Sequence, residues 1–151
     1  MLIALAIAGG IGVVLGTVVA AQLRRSRRLK RRPLMGVDEL LDAMGVLGVE
    51  ERRVVIVALE YLAKHLDVDP RQLRPDDRFG HELQAISRAI GLSDPAMEIF
   101  REELGDLLCK HGIPWVVVQD WDALSLRALA GSIQDALRLS RARGKRDSTD
   151  Y

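Results

Sequence analysis

The stretch Gly91-Leu92-Ser93-Asp94-Pro95-Ala96-Met97-Glu98-Ile99-Phe100-Arg101-Glu102-Glu103-Leu104-Gly105-Asp106-Leu107-Leu108-Cys109-Lys110-His111-Gly112-Ile113-Pro114-Trp115 decides how the rest is read. Its start is marked twice. Ser93 and Asp94 are both good N-caps, and Pro95 suits the first helical position. Its end is marked by Gly112, which suits a left-handed cap, and by Pro114, which forbids continuation. Between these signals Met97, Phe100, Leu104, Leu107, Leu108 and His111 recur at helical spacing and define one apolar face. Asp94, Glu98, Glu102 and Asp106 recur every fourth residue on another. The helix is expected to bury one side and to present a ridge of carboxylates on the other.

Working outward, the first strong helix before this one is Val49 to Leu66. Val54, Ala58, Tyr61 and His65 form its stripe, flanked by Val55, Leu62 and Leu66. Val37 to Met44 is a short amphipathic helix with Asp38 and Glu39 near its start. A loop with Pro70 and Pro75 leads to Phe79, and His81 to Ile90 can form a further short helix. Beyond the central helix, Val116 to Val118 is a β-branched run too short for a sheet. Ser125 is placed to cap a helix from Leu126 to Leu139, with Leu126, Leu129, Ala130, Ile133 and Leu137 inward. Cys109, the single cysteine, is expected to be a buried, inert thiol, and it excludes an intramolecular disulfide.

The N-terminus reads differently. Leu2 to Leu23 holds no charge, and its 22 residues as a helix span about 33 Å, enough for a hydrocarbon core. A signal peptide would carry its charge before the apolar run. Here seven basic residues and no acid follow it, from Arg24 to Arg32. That order predicts a single-pass anchor in the cell membrane with the remainder in the cytoplasm. The basic run is expected to serve as the topology signal and to sit near the anionic lipids of the bilayer. Ala4, Ala8, Gly12, Gly16 and Ala20 fall every fourth residue, which predicts a homodimer face within the span. The expected organisation is a transmembrane helix at 1–23, a basic juxtamembrane linker at 24–36, a helical domain at 37–140 and a disordered tail at 141–151.

Charge is divided unevenly. Residues 33–137 carry ten basic and nineteen acidic side chains, and residues 138–151 five basic and two acidic. An acidic domain argues against nucleic-acid binding and favours basic surfaces on partner proteins. His65, His81 and His111 are scattered. No phosphate loop, dinucleotide fingerprint or nucleophile elbow is present, so no enzyme and no metal site are expected.

Four pieces together resemble the acyl carrier proteins. Glu50 to Asp69 is similar to that family's first helix and the start of its loop. Leu73-Arg74-Pro75-Asp76-Asp77-Arg78-Phe79 resembles the segment whose Phe anchors in the core. Ser93 to Pro114 resembles the second helix, and Leu124 to Ala130 the start of the last. The resemblance covers about Glu50 to Leu137, nearly the whole of the expected soluble part. It implies an all-α acyl-carrier-protein-like bundle and a non-catalytic role. It also implies 4'-phosphopantetheine on Ser93 and partner docking on Asp94, Glu98, Glu102 and Asp106. The family carries Asp-Ser-Leu at the modified serine, whereas this chain has Leu92-Ser93-Asp94, and the segment between Phe79 and Ser93 is longer than the family's. Two functions stay open: a carrier presenting acyl groups, or a carrier-like interaction or scaffold module at the membrane with no prosthetic group.

Overall fold

A computed structural model describes residues 2–84, 94–113 and 120–147, with side chains over 14–84, 94–113 and 120–142. The chain forms α1 (Leu2–Lys30), α2 (Val37–Ala43), α3 (Val49–Leu66), α4 (Pro95–Lys110) and α5 (Leu126–Asp147), with a 3-10 turn at Pro70–Gln72. There is no strand among the described residues, so the all-α expectation holds.

Helix α4 keeps the bounds that its caps dictate. Asp94 is the N-cap and its carboxylate accepts from the Ala96 N–H at 3.1 Å, while Pro95 opens the helix. Gly112 takes φ +66° just past its end. Met97, Phe100, Leu104, Leu107 and Leu108 are buried, and α4 packs on α3. His111 is exposed: the helix stops at Lys110, so the residue leaves the face that its spacing assigned to it. Helix α3 contributes Val54, Val55, Ala58, Leu59, Leu62 and Leu66, and α5 contributes Leu126, Leu129, Ala130, Ile133 and Leu137. Ser125 Oγ accepts from the Ala128 N–H at the start of α5.

The loop before α4 is held by the start of α5. Phe79 and Gly80 donate to the carbonyls of Leu124 and Asp122, and Leu126 and Arg127 donate to those of Asp77 and Pro75. This antiparallel exchange drives Phe79 inward, where it is 2 % exposed. Its ring lies 5.7 Å from Phe100 and 5.2 Å from Trp121, the second contact edge to face. A Cβ on Gly80 would stand 2.6–2.7 Å from backbone and side-chain atoms of Asp122, so only glycine permits this approach.

The membrane anchor is corrected. Among the described residues no helix is long and apolar enough to cross a membrane. The single-pass span, the cell-membrane localisation and the pairing of spans through Ala4, Ala8, Gly12, Gly16 and Ala20 lose their support together. The side chains of Ala4, Ala8 and Gly12 lie outside the described ones, and a Cβ on Gly16 would meet nothing within 4 Å.

The basic run has another role. It is helical through Lys30 and its inner face is packed on the bundle, with Leu29 0 % and Arg25 5 % exposed. Arg25 Nη1 donates to Asp94 Oδ2 at 2.7 Å and to the Leu83 carbonyl at 3.0 Å. Arg32 Nη1 reaches both carboxylate oxygens of buried Asp77, at 2.8 and 2.7 Å. Lys30 pairs with Asp67, and Gln72 donates to the Lys30 carbonyl. The acidic charge of the domain is thus partly answered from within the chain.

Candidate functional site

Helix α4 carries the expected site residues and separates them. At 100° per residue, Glu98, Glu102, Asp106, Ile99 and Cys109 fall within one outward sector. Met97, Phe100, Leu104, Leu107 and Leu108 fall in the opposite one, so burial of the second set fixes exposure of the first. Glu98, Glu102 and Asp106 are exposed. None of the three makes an ion pair with the described residues. Ile99 stands among them 47 % exposed, an apolar point within a row of carboxylates.

Asp94 does not belong to this row. It is 3 % exposed, caps α4 and holds Arg25. The side chains of the pair are 4 % and 1 % exposed. Burial lowers the Arg25 pKa, and the charge of Asp94 and its hydrogen bond oppose that shift. The anion-seeking N–H groups at the start of α4 therefore already face a carboxylate, and that carboxylate already faces a guanidinium. Ser93, the candidate attachment point for 4'-phosphopantetheine, lies outside the described residues. So do 85–90 of the expected short helix, the run 116–118 and Pro114.

The flanks of the row are fixed by neighbouring elements. Glu103 accepts from His65 Nε2 at 2.7 Å and lies 3.5 Å from Lys64 Nζ, which ties α4 to α3. The hydrogen bond from His65 holds the Glu103 carboxyl below its ordinary range. His65 is therefore half-buried with a carboxylate partner. Arg101 lies over the Trp121 ring at 4.8 Å. Arg101 also lines, with Phe79, Gln84, Asp94, Met97, Glu98 and Asp122, a cleft of only about 40 Å³ beside the start of α4. No group of three His, Cys, Asp or Glu side chains that could hold a metal occurs among the described residues.

Sequence reasoning missed three features. Cys109 is exposed rather than buried, because its helical phase puts it on the carboxylate side. Trp121 closes the Phe79–Phe100 cluster, a partner that no local spacing announces. The third is the ion pair between Arg25 and Asp94, 69 positions apart.

No family model, no curated protein and no solved structure matches the chain, and nothing in these comparisons identifies an acyl-carrier-protein-like family.

Proposed function

We propose that this chain is a non-catalytic docking module. Its small helical bundle has a carrier-like order of elements and engages basic surfaces of partner proteins through Glu98, Glu102 and Asp106 around Ile99. It uses no prosthetic group. The observation that carries the reading is the division of labour along α4. Asp94, at the position where a phosphodiester-bearing arm would need a positive helix end, is buried and neutralised by Arg25. The three acids that follow it on the same helix stay exposed without an ion pair to the described residues.

Exposed carboxylates of one sign steer a basic partner and fix its register, and an apolar residue among them supplies contact area. The test is a photo-crosslinking amino acid at Ile99, with a second position at exposed Glu60 on α3 as the comparison. In the protein's own cells, the account expects a defined adduct at Ile99 that is absent at Glu60. The same adducts at both positions would remove the basis for a docking face on α4.

A further inference from the structure

We propose that the cleft between α1 and Gln84 binds a phosphate monoester, carried by a soluble, non-aromatic small molecule. The cleft has a volume of about 260 Å³ and is lined by Ala21, Arg24, Arg25, Arg28 and Gln84. It stands apart from the exposed row on α4 and does not depend on the docking reading. Residues 21, 24, 25 and 28 are three or four apart and share one side of α1, so three guanidinium groups converge beneath a small alanine.

Arg24 and Arg28 have donors to give, and Arg25 adds charge to the wall. Arg25 is 5 % exposed and its Nη1 is committed to Asp94 and to the Leu83 carbonyl. Arg28 gives Nη2 to the Glu82 carbonyl at 2.5 Å. Arg24 is exposed and makes no hydrogen bond or ion pair with the described residues. Among the described residues, three guanidinium groups against the one carboxylate of Asp94 leave a charge of +2, which matches a dianionic phosphate monoester. Planar guanidinium forks are the side chains best suited to such oxygens. The volume lies just below the roughly 300–1,000 Å³ of small-molecule sites, so a short substituent on the phosphate fits beside it. Among the described residues the lining has no aromatic ring on which a base would stack, which turns the assignment away from nucleotides and towards phosphorylated polyols.

The experiment is calorimetric titration of the full chain at low salt with inorganic phosphate and with glycerol phosphate. The expected result is saturable binding of one molecule per chain, tighter for glycerol phosphate. Arg24→Gln with Arg28→Gln should weaken it about tenfold or more, because each replacement removes a charge-assisted donor. Arg27→Gln with Arg138→Gln removes the same charge at two exposed side chains that do not line the cleft, one on α1 and one on α5, and should leave the affinity within about twofold. Arg24→Gln alone, at an exposed side chain, keeps the fold and should still weaken binding several-fold. Absence of saturable binding would overturn the proposal. So would equal losses in the two double variants, which would indicate net charge alone. Binding to phosphatidic acid vesicles without binding to glycerol phosphate would overturn the small-molecule assignment.

Discussion

Asp94→Asn isolates the contact that joins α1 to the start of α4. The asparagine keeps the shape and can still accept from the Ala96 N–H, so the cap is retained. What is lost is the charge opposite Arg25, whose side chain is 4 % exposed and whose nearest acceptors are Asp94 Oδ2 at 2.7 Å and the Leu83 carbonyl at 3.0 Å. Removing one partner of a buried ion pair leaves the other uncompensated and costs about 3–5 kcal/mol. The low end, about 3 kcal/mol, applies here because the Leu83 carbonyl still receives the guanidinium. For a chain of this size each kcal/mol is worth about 2–4 °C, so melting followed by circular dichroism should fall by roughly 6–12 °C. Arg25→Met strands Asp94 in the same way and should cost a similar amount. The double variant Arg25→Met with Asp94→Asn removes both charges. It should be more stable than either single variant, since apolar replacement of a whole buried pair is often close to neutral. A shift of a degree or less in Asp94→Asn, or additive losses in the double variant, would refute the docking of α1 through this pair.

Other outcomes follow from the same geometry. Phe79→Ala empties the centre of the Phe79–Phe100–Trp121 cluster and should cost about 3–5 kcal/mol, read as a fall of many degrees in melting temperature. A change of one or two degrees would put the ring at the surface. The Glu103 carboxyl is held below its ordinary range by His65, so its contribution to stability is present above that range and is lost as pH falls through its lowered value. The stability gap between wild type and Glu103→Gln should therefore be open near neutrality and close in acid; a gap that persists unchanged to low pH would contradict the pair. Intact mass of the protein purified from its own cells, and after incubation with coenzyme A and a broad-specificity transferase, should equal that of the polypeptide. A phosphopantetheine adduct that vanishes in Ser93→Ala would establish a carrier.

The local signals in the chain were legible to the extent that they were local. Helix α3 keeps the bounds expected from its apolar stripe, and α4 obeys Asp94, Pro95 and Gly112, because caps and periodicity act within a few residues. Phe79 could be placed inward from its polar loop. The basic run could not be placed from its composition. Seven cations after an apolar stretch have the pattern of a topology signal, and only the tertiary fold brings Asp94, Asp77 and Asp67 to Arg25, Arg32 and Lys30. The four-residue acidic period likewise concealed a difference of role, since Asp94 is turned to Arg25 while Glu98, Glu102 and Asp106 face outward. Cys109 was within reach of sequence reasoning. Helical phase alone sets it among the exposed acids, eleven residues after Glu98 and therefore three turns further along the same side.

The most direct test of the docking account is the yield of the crosslinked adduct at Ile99 when charge is reversed. Glu98→Lys, Glu102→Lys and Asp106→Lys together should abolish the adduct. Glu39→Lys, Glu60→Lys and Asp135→Lys, three exposed acids elsewhere on the bundle, change the net charge equally and should leave the yield near that of wild type. Retention of the adduct in the α4 variant, or its loss in both, would contradict a partner that reads the exposed carboxylates of α4.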